Sequence, residues 1–323
     1  MSMKLVRGMR HVPAFAGGTV ATIGNFDGVH LGHQALLSQL KKEAIKRQLP
    51  LVVLLFEPQP SEFFIKENAP ARLSSLREKL DILAKCNVDY VYCLKFNKNL
   101  ANMSPVDFAT SYFFSLLQVR YLLIGEDFRF GRARLGDVHL LKEMSDKANC
   151  LIDTFPDFAI TNLRVSSTKI REALANGQLA YSATLLGRTF SFCGRVITGA
   201  GRGRQWGIPT ANIGMRRPAL PLSGVFCVQL ERQDGALING VANLGRRPTV
   251  DGTKNVLEIH LFDFNDNLYG EMVQVYFLHK LRDEIKFPSA EDLIKQIHED
   301  IARAKGEFKS DRFRLNKYQA HLS

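Results

Sequence analysis

A chain of 323 residues with 46% hydrophobic content is long enough for two cores, because single cores stop growing near roughly 250–300 residues. Its formal charge of +11 favours polyanionic partners, whether nucleic acid, an anionic membrane surface or phosphorylated small molecules, without choosing among them. No apolar run reaches the roughly 18 residues of a membrane helix, and the first residues lack a secretory apolar region, so a cytoplasmic protein is expected. The five cysteines, Cys86, Cys93, Cys150, Cys193 and Cys227, form no CxxC pair. That fits neither a disulfide framework nor a zinc site and makes them reduced packing residues.

In chain order, the first half alternates β-branched or aliphatic runs with amphipathic stretches. The strand Thr19–Ile23 precedes a helix over 32–47, and the strand Leu51–Phe56 precedes a helix opened by the capping pair Ser75 and Glu78. The strand Tyr90–Leu94, a helix opened by Ser104-Pro105 and the strand Tyr121–Gly125 follow. Such repetition predicts a mostly parallel α/β sheet of Rossmann-like type, with ligands beyond the carboxyl ends of its strands. After about Leu186 the pattern changes to strands in succession, over 190–196, 225–230, 237–244, 256–262 and 272–278, which predicts an antiparallel β-barrel. A closing C-terminal helix is expected from Ser289 to Ala304, with Ser289 and Asp292 as its cap and Leu293, Ile297 and Ile301 on one face. The boundary falls near 183–187, giving domains 1–185 and 186–323, and the Lys/Arg-rich tail after Gly306 reads as a solvated extension.

The segment Gly24-Asn25-Phe26-Asp27-Gly28-Val29-His30-Leu31-Gly32-His33 runs from the first strand into the first helix. Its glycines let backbone approach a phosphate, and a helix N-terminus offers unpaired N–H groups to an anion. His30 and His33 are three residues apart, so both imidazoles can converge on one triphosphate and stabilise charge developing on its α-phosphate during in-line attack. Alone, two histidines at a helix start would be solvated caps. In the later stretch Val165–Arg171, Ser166 or Ser167 caps a helix beginning near Lys169, and Arg171 presents a fixed fork to phosphate oxygens.

From Gly199 the chain reads Gly-Ala-Gly-Arg-Gly-Arg-Gln-Trp-Gly-Ile-Pro-Thr-Ala-Asn, ending at Asn212. A flexible loop containing Gly203 and Arg204 suits closure over a nucleotide's phosphates, while the Thr210 hydroxyl and the Asn212 amide oxygen are hard ligands suited to Mg²⁺. Glu258 sits among apolar neighbours on a predicted strand, where a carboxylate belongs on an exposed face or in a site.

These motifs carry a resemblance. GNFDGVHLGH is similar to the signature of the HxGH nucleotidyltransferase superfamily in the form found in bacterial FAD synthetases. Phe56–Pro60, Gly125–Gly131 and Val165–Arg171 continue that pattern. Pro209–Asn212 resembles the PTAN motif of riboflavin kinases, followed by Gly224–Phe226, Gly240–Gly245 with Arg247-Pro248-Thr249, and Leu257–Asp263 leading to Leu268-Tyr269-Gly270. The resemblance spans residues 15 to 307 and implies a bifunctional riboflavin kinase/FAD synthetase, with ATP as co-substrate of both reactions. It implies that His30 and His33 serve adenylyl transfer and that Gly24, Asn25, Gly32, Ser167, Thr168 and Arg171 hold ATP. Asp27, Asp127, Phe128 and Arg247 would face flavin, with Phe130 a second aromatic candidate. In the kinase half, Gly203 and Arg204 would hold ATP, Thr210 and Asn212 Mg²⁺, and Glu258 would be the general base. One departure is Trp206, where the family more often has an aliphatic residue.

Expected ligands are riboflavin, FMN, FAD and ATP/ADP, with no nucleic acid and no membrane; a homo-oligomer is compatible with the sequence. Two other readings are an enzyme retaining one activity and a basic nucleic-acid-binding barrel, the latter lacking any RNP-type aromatic motif or zinc knuckle.

Overall fold

The computed structural model describes residues 3–8, 13–160, 163–199, 201–215, 217–249, 252–310 and 315–317, without the side chains of residues 202, 204, 247–249 and 252–254. The chain forms two compact units, one taking residues up to Pro70 and Leu76–Ser166, the other Ala71–Ser75 and Ser167–Gln319.

In the first unit the apolar runs become β1 (Lys4–Arg7), β2 (Thr19–Ile23), β3 (Leu51–Glu57), β4 (Tyr90–Lys95), β5 (Val119–Gly125) and β6 (Leu151–Phe155). Between them lie α1 (Leu31–Arg47), α2 (Pro60–Ile65), α3 (Leu76–Lys85), α4 (Lys98–Ala101), α5 (Pro105–Phe108) and α6 (Val138–Ala148), and a short hairpin, β7 (Ala159–Ile160) with β8 (Leu163–Arg164), follows. The sheet order is β1-β4-β3-β2-β5-β6, with every neighbouring pair parallel. All of β2 and the first five residues of β3 are buried, as befits apolar runs covered on both faces. From β2 the order runs to β3 and β4 on one side and to β5 and β6 on the other. The carboxyl end of β2 is therefore the switch point where such sheets bind ligands.

The second unit holds α7 (Ser167–Ala175), α8 (Leu179–Leu186), β9 (Ser191–Ile197), α9 (Arg202–Gln205), β10 (Ala211–Gly214), β11 (Gly224–Glu231), β12 (Leu237–Thr249), β13 (Gly252–Leu261), β14 (Met272–Arg282) and α10 (Ala290–Lys309). Six strands close in the order β10-β13-β12-β11-β14-β9, all antiparallel, which leaves no open edge. Phe192, Phe226 and Phe277 meet edge to face at 5.3 Å among the fully buried Leu244, Leu257, Ile259 and Val275. Alternation turns Val225, Cys227 and Val241 to a second cluster, where Ile301, Ala304 and Phe308 of α10 cover them.

Several expectations need correction. β1, β6 and β10 were not anticipated: β1 is a four-residue edge strand with three exposed residues, β6 is mixed, and β10 begins within the Pro209–Asn212 motif and runs past it to Gly214. The helix expected near Lys169 begins at Ser167, and α10 continues past Ala304 to Lys309 from its Ser289 cap, whose Oγ accepts from Asp292 N at 3.1 Å. The tail is partly docked. Thr189 N donates to Asn316 O at 2.8 Å, and Lys317 pairs with Glu231 at 2.6 Å. Helices α7 and α8 join the barrel unit, and Ala71–Ser75 is drawn there by Arg171 Nε donating to Ala71 O (2.6 Å) and Arg217 Nη1 to Arg72 O (2.9 Å). The five cysteines are free thiols, three of them buried.

Candidate functional sites

The Gly24–His30 loop leaves the switch point and ends at the start of α1. Phe26 and Val29 hold left-handed backbone (φ +46° and +38°) on either side of Gly28 (φ +80°). A β-branched residue there costs about 1–3 kcal/mol and persists only where its surroundings over-determine it. Burial does so here, with Phe26, Asp27 and Val29 at most 3% exposed. Val29 O also accepts from Gln34 Nε2 at 2.8 Å, and the Lys79 ammonium of α3 donates to Asn25 O.

His30 caps α1, its Nδ1 accepting from His33 N at 3.4 Å, and the two imidazoles stack with centroids 3.7 Å apart. Gly32 makes this possible, since a Cβ there would stand 3.3 Å from the His30 ring and from Phe158 Cβ. His33 Nδ1 is buried with no hydrogen-bond partner among the described residues, an acceptor or donor awaiting a ligand. Burial, then His30, then Lys79 push the His33 imidazole well below its usual 6.5, so it is neutral at pH 7.

As pH falls through about 6.5, the unfolded chain protonates at His33 and the folded chain does not, so unfolding free energy falls with it. Urea unfolding at about pH 7.5 and about pH 5.5 should show a smaller loss for His33→Asn than for the parent.

Beside the loop opens a cavity of about 640 Å³ whose wall includes Asn25, Phe56, Phe64, Phe96, Phe128 and Arg134. Phe128 is half-buried and stacks on Phe130 at 5.6 Å, while Phe130 is a core residue packed on Phe108 and Phe113. Asp127, at the same rim, is exposed and 3.7 Å from Arg164. Gly24 lines the cavity with Asn25; buried Asp27 lies in the loop just beyond. Ser167 and Thr168 open α7, and Arg171 bonds to Ala71 O. All three belong to the barrel unit, whereas the histidine pair belongs to the first.

On the barrel, cross-strand register sets Asn212 (β10) and Asn243 (β12) opposite Glu258 (β13). Leu257 and Ile259 point inward, so Glu258 faces outward. It does so into a cavity of about 340 Å³, shared with Thr210, Asn212, Trp206, Leu293 and Ile297. Thr210 and Asn212 are two residues apart on extended chain and share a face. A Cβ on Gly199 would overlap the Asn212 amide, and one on Gly203 would overlap Ile208 O, so both glycines answer to close approach. His260 Nδ1 is 2.9 Å from Pro209 O and anchors this turn. The Gly/Arg stretch is a helical turn, α9, rather than an irregular loop. The Arg204 and Arg247 side chains lie outside the described residues. A further cavity of about 510 Å³ adjoins Pro209–Ala211 and is walled by Phe264–Tyr269; Thr210 lines both.

Sequence reasoning missed Lys79, His260, Arg282, Glu284 and Asp300. Asp300 accepts from Arg282 Nε at 3.0 Å and Nη2 at 2.7 Å, pinning α10 to β14 beside the cavity. Burial pushes the Glu284 carboxyl up despite Arg246 and Arg282, and Gly245 leaves it room. The readable signal was a charge on an apolar face: Asp300 among Ile297, Ile301 and Ala304, and Lys79 beside Ile82 and Leu83. Asp300→Ala, which strands the Arg282 guanidinium, should cost about 3–5 kcal/mol of barrel stability, read as a lower urea midpoint.

Residues 12–169 match the FAD synthetase family and residues 186–308 the riboflavin kinase family. The bifunctional riboflavin kinase/FMN adenylyltransferase of Haemophilus influenzae is 46% identical over 308 residues, 95% of this chain and 100% of that one. The chain belongs to the bifunctional riboflavin kinase/FMN adenylyltransferase family. The Escherichia coli K12 member of this family is 44% identical over 304 residues, 94% of this chain and 97% of its own. A crystal structure titled macrolide-efflux protein, from Streptococcus pneumoniae, superposes with a TM-score of 0.77 at 28% identity, covering 93% of this chain and 97% of that one. No helix among the described residues of the present chain is long and apolar enough to cross a membrane. For a riboflavin kinase/FMN adenylyltransferase, the two family matches fall on the sheet with its histidine pair and on the barrel with Glu258.

Proposed function

We propose that the chain makes FMN and FAD in succession, each half performing one transfer, divided functionally at 185/186. In the barrel, Glu258 accepts the proton of the riboflavin 5′-hydroxyl as that oxygen attacks the γ-phosphorus of ATP, the bond to ADP breaks, and FMN forms. In the first half, an FMN phosphate oxygen attacks the α-phosphorus of a second ATP, pyrophosphate leaves, and FAD forms. His30 and His33 stabilise the charge gained at that phosphorus. The observation that carries this reading is the pairing of two family matches with two separate sites, one built on the stacked histidines and one on Glu258 between two asparagines.

Thr210 and Asn212 fit a Mg²⁺ that accompanies ATP, because two hard oxygen donors share a face that Gly199 keeps open. The ion would neutralise phosphate charge there. Thr210, lining both barrel cavities, stands where flavin and nucleotide would meet. Gly203, with Arg204, serves ATP in that half, and Arg247 serves flavin. In the first half Gly24, Asn25, Gly32, Ser167, Thr168 and Arg171 serve ATP, and Asp27, Asp127 and Phe128 serve flavin, Phe128 from the wall of the 640 Å³ cavity. The protein acts in the cytoplasm on riboflavin, FMN, FAD and ATP, without nucleic acid or membrane, as a monomer or a homo-oligomer.

The deciding experiment incubates the purified chain with riboflavin, ATP and Mg²⁺ and separates the flavins by chromatography over time. FMN appearing before FAD is the expected result. FMN alone would confine function to the barrel, and neither product would overturn the proposal.

A further inference from the structure

We propose that Lys79 is a positioning residue for adenylyl transfer, its buried ammonium fixing the Gly24–His30 loop through the Asn25 carbonyl and supplying positive charge behind the His30–His33 pair. The proposal rests on the assignment of that loop to FAD formation.

Lysine is almost never fully buried unless its ammonium is paired or hydrogen-bonded. Lys79 is 1% exposed, on the face of α3 that also buries Ile82 and Leu83, and its Nζ reaches Asn25 O in a loop 54 residues away in sequence. Asn25 immediately precedes Phe26, the first of the two left-handed non-glycine residues. A hydrogen bond from a charged donor at that carbonyl is the kind of outside restraint such a backbone requires. With 1% of its surface exposed, Lys79 does not reach substrate and acts through the loop and through His33.

The charge acts as well as the hydrogen bond. Among the described residues, the titratable groups that hold the His33 imidazole down are His30, at the start of its own helix, and Lys79, from α3; the Phe26 ring completes its packing. Positive charge from Lys79 therefore stands near the pair without a proton on His33. The imidazole remains able to take up positive charge as the α-phosphate gains negative charge, which is when stabilisation accelerates the reaction.

The test uses the full chain and two substitutions that separate charge from donor. Lys79→Gln keeps an N–H donor and removes the charge; Lys79→Arg keeps the charge. FAD formation from FMN, FMN formation from riboflavin and the NMR titration of the His33 ring are measured on each. For Lys79→Gln, kcat for FAD formation should fall by roughly 10²-fold, as when reacting groups are misplaced by about 1 Å. The KM for FMN and the kinase rate should stay nearly unchanged, and His33 should titrate at higher pH than in the parent. Lys79→Arg should keep the parent's His33 titration and recover most of the lost rate. A Lys79→Gln chain that makes FAD at the parent's rate, or whose His33 titration does not move, overturns the proposal. Should that variant fail to fold, Lys79→Met, the apolar isostere of the stem, is read by the same measurements. If the parent itself makes no FAD, the assignment of the loop fails, and the His33 titration still decides whether Lys79 sets the charge of the pair.

Discussion

His33→Ala is expected to lower FAD formation from supplied FMN by roughly 10²–10³-fold, the usual loss on deleting one preorganised stabiliser of transition-state charge, while riboflavin phosphorylation proceeds at the parent's rate. The selectivity follows from the architecture. His33 sits in the first unit on the helix that starts at the sheet's switch point, its ring stacked on His30 and tilted against Phe26 at 4.8 Å. Removing it leaves the barrel cavity untouched. It also removes a buried nitrogen that has no hydrogen-bond partner among the described residues, and the unfolding midpoint of the variant checks that the fold survives loss of the ring. Parallel assays of FMN and FAD formation on one preparation decide the matter. Equal loss of both activities in a well-folded variant would contradict the assignment of separate sites.

Glu258→Ala should do the reverse. Riboflavin phosphorylation should fall by roughly 10²–10⁴-fold, the range for a lost general base, with FAD formation from supplied FMN intact. Glu258 lies opposite Asn212 and Asn243 on neighbouring strands and faces out of the barrel, so its loss opens no hole in the Phe192–Phe226–Phe277 interior. A drop in kcat with little change in riboflavin binding is the signature of a group that acts on the reacting proton. A pure rise in KM would instead make Glu258 a binding residue.

Both architectures were legible because their signals are local. Continuous apolar runs separated by amphipathic helices announced a parallel sheet, and strands in succession announced the barrel. The His30–His33 spacing announced two imidazoles brought together at a helix start, whereas their stacking on each other, with Gly32 leaving room for it, emerges only from the fold. Weakly patterned strands escaped: β1 is mostly exposed, and β10 is only four residues long, without apolar alternation, and owes its place to pairing with β9 and β13. Lys79, Arg282 and Asp300 escaped for a different reason. Their roles depend on partners distant in sequence, Asn25 for Lys79 and a helix–strand contact for the ion pair, and only the misplaced charge on an apolar face hinted at them.

The interleaving of the two compact units bears on how such a chain could be taken apart or recombined. Among the described residues the chain crosses from one unit to the other at 70/71, 75/76 and 166/167, so no single cut separates them. A fragment starting at 186 would shed α7 and α8 from the barrel's flank, together with the carbonyls of Ala71 and Arg72 that Arg171 and Arg217 hold. Grafting a barrel from one relative onto the sheet of another would succeed more readily with the junction at 167 and with residues 71–75 taken from the barrel's own parent. The unit of inheritance for the kinase half is thus larger than the stretch its sequence motifs mark out.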